Sequence, residues 1–353
     1  MNKNQPQPIR GRGARFNPTN RFESLQIELD PEEAAQPDKP QTRYFDDNSG
    51  TIISRNNSPD VGFSASVNPY RGCEHGCIYC YARPTHEFLG FSSGLDFESQ
   101  ILAKRNAPEL LRHELSSKKW IPQVLAMSGI TDPYQPIERK LEITRKCLET
   151  LAAFKNPVSL ITKNHLITRD IDVLKEMANE ELASANISVT SLNPKLTAIL
   201  EPRTSRPELR LRAIEKLAAA GIPVNVMIAP IIPGLNDEEI PAIADAAASA
   251  GARTAAFTMV RLPYAVAPLF EEWLEQHFPL RKKKILDRIR SMRNGKLNDS
   301  DFASRMRGKG IFAEQIRQLF HVSIRRAGLD QPRPQLRTDL FRIPGRPKQL
   351  DLF

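Results

Sequence analysis

Three of the chain's four cysteines fall in one short string, Cys73-Glu-His-Gly-Cys77-Ile-Tyr-Cys80. A thiolate is a soft ligand suited to iron–sulfur clusters or to zinc. This spacing lets one tight loop present three sulfurs to a metal centre and leaves a coordination position to something other than protein. Structural zinc needs four closed ligands. The fourth cysteine, Cys147, lies in a helical pattern beside Leu141, Leu148 and Leu151, where a small core residue is expected. His75 and His86 are the other nearby zinc-type donors, and His75, inside the loop, is expected to point away. The donor set favours a cluster over zinc.

The loop must be held by regular elements, and the pattern supplies them from residue 62 onward. Apolar strand-like runs cover 62–68, 123–128, 158–163, 186–191, 224–229 and 254–260. Helical patterns occupy 138–154, 169–179, 207–220 and 237–250, with Gly221 as a stop and Pro223 opening the next strand. Strands that are apolar almost throughout, separated by helix-length crossovers, imply a parallel sheet covered by helices. Six such units fall short of the eight of a closed barrel. An open, doubly wound sheet competes. The unusual polar residues follow strand C-termini, which favours a partial (βα)6 TIM-type barrel.

Those strand ends carry the other candidate groups. Ser128, Gly129, Thr131 and Asp132 follow the second strand, and Asp132 either accepts from an ammonium or caps the turn before Pro133. Lys163, Asn164 and Arg261 end the third and sixth strands. Thr190 and Ser191 end the fourth. Beyond them Arg203 offers a guanidinium built for a carboxylate, or an ion pair with Glu201 or Glu208.

Composition narrows the class. At 353 residues and 40% hydrophobic, the chain can bury a sizeable core. It contains no apolar run near the roughly 20 residues of a membrane span. The first residues show no apolar signal segment, and four cysteines do not make a disulfide framework, so a cytoplasmic location is expected. Residues 1–58 are rich in breakers and read as a flexible arm with an Arg/Gly patch at 10–15; 59–265 read as the core domain. Residues 266–330 read as a helical basic extension and 331–353 as an extended Pro/Arg-rich tail. From 278 onward 19 Lys and Arg face seven Asp and Glu, a net of +12 in a chain of +9. This asymmetry suggests an anionic partner, DNA or RNA, at that end.

The cysteine string, with an aromatic (Tyr79) before its last Cys, resembles the signature of radical S-adenosylmethionine enzymes. The run from Val67-Asn-Pro-Tyr-Arg-Gly-Cys73 to Arg261-Leu-Pro263 is similar to the branch around spore photoproduct lyase, often labelled DNA repair photolyase-like. The resemblance implies a 4Fe–4S cluster on Cys73, Cys77 and Cys80, S-adenosylmethionine as second cofactor, and a low-potential electron donor. It places the methionine amino group near Ser128 and Gly129, the ribose near Thr190 and Ser191, the adenine near Tyr79, and the carboxylate near Arg203. The implied reaction is reductive cleavage of S-adenosylmethionine and hydrogen abstraction from a substrate, with nucleic acid expected. One departure matters: photoproduct lyases carry a hydrogen-donating Cys shortly before the Asp of the second-strand loop. Here Gly129, Ile130 and Thr131 precede Asp132, so repair through that donor is not expected. The terminal Gln349-Leu-Asp-Leu-Phe353 resembles a bacterial sliding-clamp-binding motif. Two alternatives stay open: a nucleic-acid- or clamp-associated adaptor with a structural or redox-sensing cluster, and a radical enzyme acting on a protein or metabolite.

Overall fold

The computed structural model describes residues 9–23 and 41–345. Its strands are β1 (Arg43–Asp46), β2 (Ile53–Arg55), β3 (Ala65–Val67), β4 (Tyr70–Arg71), β5 (Gln100–Ala103), β6 (Leu125–Met127), β7 (Val158–Thr162), β8 (Ala183–Ser188), β9 (Val224–Ile231) and β10 (Thr254–Met259). The larger sheet has the order β10-β9-β8-β7-β6-β3-β2, and the smaller one β1-β5-β4. From β3 to β10 every neighbouring pair in the larger sheet is parallel. Spatial order along these six strands repeats chain order, so there is no reversal point of the doubly wound kind. No pairing joins β10 to β2 among the described residues, which leaves a six-unit partial barrel rather than a closed one.

The helix-covered face of the strands is apolar, whereas the face turned to the barrel interior is mixed, with Ser159, Ser184, Asn186 and Asn225 half-buried and hydrogen-bonded to one another. Leu125, Met127, Val158, Leu160, Val224 and Val226 are all buried. Outside them lie the helices Ile143–Phe154, Ile171–Asn179, Pro207–Ala219 and Ile240–Ser249. Each turns one apolar stripe inward, such as Ala213, Ile214 and Leu217 of the third, while the opposite side carries charge. A fully buried leucine of this kind contributes about 2 kcal/mol.

Several boundaries differ from the sequence pattern for physical reasons. The fourth barrel strand starts at Ala183 and stops at Ser188, so Thr190 and Ser191 stand in the loop beyond it. A short helix follows, Pro194–Leu200, which apolar periodicity did not suggest. Asn193 caps it by accepting from the N–H groups of Lys195 and Leu196, and Pro194 opens it. The run 138–154 is broken at Glu142 (φ 53°) into the helices Glu138–Leu141 and Ile143–Phe154.

The arm expected over 1–58 contacts the core at several of its described residues, though much of it, β1 included, stays exposed. Residues 9–23 lie against the cysteine loop, and β1 and β2 join one sheet each. Breaker-rich sequence limits helix and strand, but it does not prevent a backbone from bonding to side chains of the core. The C-terminal region holds the helices Val266–His277, Pro279–Ser291 and Ile311–Arg326. After them the chain runs without regular structure across the N-terminal ends of the strands. Asp330 bridges Thr254, the Arg337 N–H reaches the Glu181 carbonyl at 2.9 Å, and that of Arg342 reaches Phe154 at 2.9 Å. The clamp-like pentapeptide at 349–353 lies outside the described residues. No helix among those described is long and apolar enough to cross a membrane.

Cys147 is fully buried among core residues of the helix Ile143–Phe154. Cys147→Ala is expected to cost only about 1 kcal/mol in urea unfolding and to leave the iron content of the reconstituted protein at the wild-type level.

Candidate active site

The cysteine loop leaves the end of β3 through β4 and sits over the C-terminal ends of the barrel strands. Its backbone is anchored from several sides. The Cys73 N–H donates to the Phe97 carbonyl at 2.9 Å, Ile78 to Leu200 at 3.1 Å, and Arg203 to His75 at 3.2 Å. Gly76 takes φ 65°, and a Cβ there would come within 2.8 Å of the Glu98 carboxylate. A Cβ on Gly13 would overlap the Gly76 carbonyl, so the N-terminal segment lies directly on the loop.

Glu98 organises this contact. Its buried carboxylate accepts the N–H groups of Gly13 (2.9 Å) and Ala14 (2.8 Å) and pairs with the fully buried guanidinium of Arg83. Arg83 in turn donates to the carbonyls of Cys77 (3.0 Å), Ser93 (3.2 Å) and Gly94 (2.9 Å). Glu74 holds the loop's other flank by accepting from the Ile137 N–H at 3.1 Å and pairing with Arg203 at 3.1 Å.

The thiols are buried or nearly so and act on one another. Burial pushes the Cys77 thiol well up, with Glu201 and the neighbouring thiols adding to it. Cys80 is pushed up to about 11 by burial and by Cys73. Among the described residues no three His, Cys, Asp or Glu side chains converge on a single-ion site. A 4Fe–4S cluster spreads its protein sulfurs over different irons, so this loop suits a cluster and not a lone zinc. His75 is buried, with Nδ1 3.3 Å from Asp132 and Nε2 3.3 Å from the Asn164 amide, and it also contacts the Cys73 thiol. Burial opposes its charge, but Asp132 outweighs that effect and pushes the imidazole up to about 10. His86 is buried against the Phe91 and Phe97 rings.

Beside the loop, a second buried carboxylate gathers the mouth. Glu201 accepts from Thr190 Oγ1 at 2.6 Å and from the Tyr79 hydroxyl, and it faces Lys163 Nζ at 3.4 Å and Arg210. Burial alone would raise its pKa; Arg210, Lys163, Thr190 and Tyr79 override this and hold it at about 2. Lys163 also donates to the Ala229 carbonyl at 3.1 Å, tying the ends of β7 and β9. Ser128 and Gly129 stand after β6 with φ of 150° and 131°, and Ser128 Oγ donates to the Thr131 carbonyl at 2.9 Å.

Of the expected contacts, Tyr79 and Thr190 are brought together on Glu201, and Ser128 and Gly129 flank the same mouth. Two expectations change. Ser191 donates to Glu239 at 2.6 Å on the outer side, because successive residues of an extended segment point in opposite directions. Arg203 pairs with neither Glu201 nor Glu208; its guanidinium is committed to Glu74 and Thr42. Asp132 caps its turn by accepting from the Tyr134 N–H at 2.9 Å and also accepts from the Thr162 hydroxyl at 2.7 Å and the Lys163 N–H at 2.9 Å. Glu98, Arg83, Glu201 and Arg210 carry no motif; a charge sunk in the core has no periodic signature.

A family model described as the radical SAM superfamily matches residues 67–247, just over half of the chain. The chain belongs to that superfamily. Radical SAM enzymes use a 4Fe–4S cluster and S-adenosylmethionine, and these are the cofactors of this family member. An uncharacterized protein of Mycobacterium tuberculosis is 36% identical over 63% of this chain and 66% of its own length. The chain thus spans slightly under two thirds of that relative. An uncharacterized protein of Methanocaldococcus jannaschii is 31% identical over 49% of this chain and 62% of its own. A protein of Pseudomonas phage M6, named a radical SAM Nalpha-GlyT isomerase, is 24% identical over 70% of this chain and 50% of its own. Among solved structures, a spore photoproduct lyase variant shares the fold at TM-score 0.55 and 17% identity, over 80% of this chain and 77% of that one.

Two outcomes follow from the buried charges of this radical SAM site. Glu98→Ala leaves Arg83 charged and unpaired in the core, and is expected to cost about 3–5 kcal/mol in urea unfolding of the apo-protein. Glu201 has a depressed folded-state pKa, so its contribution is complete above its ordinary value near 4.5 and is lost as pH falls toward about 2. The apo-protein should lose a few kcal/mol across that window, and Glu201→Gln should flatten this part of the profile.

Proposed function

We propose that this chain is a radical SAM enzyme in which Cys73, Cys77 and Cys80 hold the 4Fe–4S cluster and the mouth beside Glu201 receives S-adenosylmethionine. The observation that carries this is three free cysteines, Cys73 and Cys77 buried and Cys80 half-buried, on one anchored loop over the C-terminal ends of a six-unit βα barrel. When bound, the cofactors supply one-electron reductive cleavage of a sulfonium, the source of a 5′-deoxyadenosyl radical. The protein's own contribution is position and exclusion of water. Ser128 and Gly129 offer backbone and hydroxyl groups at one side of the mouth, and Thr190 and Tyr79 offer theirs at the other, fixed by their shared carboxylate. A low-potential external donor supplies the electron.

Nucleic acid is the substrate class this reading favours. The C-terminal region is strongly basic, and although Lys282, Lys283, Arg290 and Arg305 have acidic partners, Lys284, Lys296 and Arg307 have no ion pair among the described residues. One of the similarly folded spore photoproduct lyase structures holds AdoMet and a dinucleoside spore photoproduct at TM-score 0.51. A donor-cysteine mechanism is not part of the proposal, because the fourth cysteine is sealed in the core. If residues 349–353 bind a sliding clamp, they do so from a tail whose preceding residues cross the far end of the barrel.

Anaerobic reconstitution should give a brown protein that forms 5′-deoxyadenosine from S-adenosylmethionine when reduced. Replacing Cys73, Cys77 and Cys80 together by Ala should abolish both iron loading and product. A cluster that loads but yields no 5′-deoxyadenosine under any reductant would instead favour an adaptor with a structural or redox-sensing cluster.

A further inference from the structure

The cysteine loop continues into an exposed ring of aromatic and guanidinium planes beside the mouth. Tyr81, directly after Cys80, donates its hydroxyl to the Gly129 carbonyl at 2.7 Å, and Arg261, after β10, lies over its ring at 4.6 Å. Three residues on, Tyr264 stacks under Arg21 at 3.7 Å. Arg21 also lies near the Phe22 ring at 5.1 Å, and Phe22 stacks on Phe88 at 4.7 Å with 27° between planes. Phe88 belongs to the 3-10 helix Arg83–Leu89, which leads back to Tyr81. The contacts and the two chain segments therefore close a circuit.

These faces are open: Phe88 is 71% exposed, Tyr264 64%, Phe22 57% and Tyr81 48%. A contiguous exposed aromatic patch at a cleft edge marks an interaction site. Its charge is incompletely matched. Arg21 pairs with the buried carboxylate of Glu87 at 2.5 Å, whereas the half-buried Arg261 has no ion pair or hydrogen bond among the described residues; beyond its contact with the Tyr81 ring it feels Asp60, a carboxylate already paired with Arg305. Tyr264 adds a conformational cost, since it takes φ 50°, a left-handed backbone that disfavours an aromatic residue.

We propose that this ring is a stacking platform for unpaired nucleotides, delivering a single-stranded or extruded base to the mouth; it rests on the nucleic-acid reading above. Every base has a π-face that stacks on aromatic rings or on guanidinium planes, whatever the sequence. The free edge of Arg261 then serves a phosphate. An apolar peptide would cover the rings but leave that charge unanswered.

The test is fluorescence anisotropy of the full-length reconstituted protein with single strands of about 12 nucleotides, DNA and RNA, and with their duplexes. Wild type should prefer single strands. The pair Phe22→Ala with Phe88→Ala, and separately Tyr264→Gly, should weaken single-strand binding by about tenfold while leaving its salt dependence unchanged. Glycine accepts the left-handed backbone, so Tyr264→Gly should melt no lower than wild type, which separates recognition from folding. Arg261→Ala should weaken binding and reduce the log–log salt slope by about 0.7. Aromatic variants that bind single strands like wild type would overturn the platform and leave the nucleic-acid reading standing, and so would equal affinity for duplex and single strand. A wild-type protein that binds no oligonucleotide would remove both.

Discussion

The geometry of the cysteine loop depends on one buried carboxylate, that of Glu98. It receives two backbone N–H groups from the N-terminal segment and the guanidinium of Arg83, whose remaining donors take three carbonyls, one of them that of Cys77. A charge sunk this deep is tolerable only when its partners satisfy it fully. That requirement couples three regions far apart in sequence: the arm at 13–14, the turn at 77–83 and the excursion at 93–98. A loop carrying three sulfurs must keep their spacing when metal is absent as well as present, and a fully satisfied ion pair behind it provides that rigidity. Gly13 and Gly76 follow from the same constraint, because the arm lies too close to the loop for a side chain at either position.

The barrel was legible because a helix-covered strand face leaves an apolar residue at every second position, as at Val158 and Leu160 or Val224 and Val226, and the helices between the strands repeat every three to four residues. The loop was legible because cysteine is scarce and its spacing is chemical. The described part of the arm, 9–23, shows what composition does not. Its Arg, Gly, Pro and Asn residues have no periodicity, yet they order through hydrogen bonds to side chains distant in sequence, such as Asn17 to Asp96 and Asn20 to the Glu87 carbonyl. Arg203 shows the same limit. Within the chain its guanidinium pairs with Glu74 of the loop rather than with Glu201 or Glu208, a pairing that no spacing in the sequence signals.

The two ends of the barrel are finished differently. At the N-terminal ends of the strands, the chain after Asp330 crosses the sheet, and Leu340, Phe341 and Ile343 pack on the core. Phe341 meets Phe154 at 6.1 Å. Such a cover seals apolar strand ends that would otherwise meet water. At the other end stand the thiols, the Glu201 network and the exposed aromatic planes. One end is thus built for stability and the other for chemistry, the division common to βα barrels.

Within the mouth, Glu201 explains why Lys163 and Arg210 can sit close together without separating. Both cations face one carboxylate, which carries a single negative charge and also accepts from Thr190 and Tyr79. The cluster of side chains therefore retains excess positive charge, carried at its solvent side by Lys163, which is less buried than Arg210. The Lys163 ammonium is itself held from three sides, by Glu201 at 3.4 Å, the Ala229 carbonyl at 3.1 Å and the Thr190 hydroxyl at 3.4 Å, and lies 5.8 Å from the centroid of the Tyr79 ring. Arg210, sealed behind it and bonded to the Ser188 carbonyl at 3.0 Å, fixes the carboxylate from the buried side, while Lys163 holds it from the side nearer solvent and ties it to the end of β9.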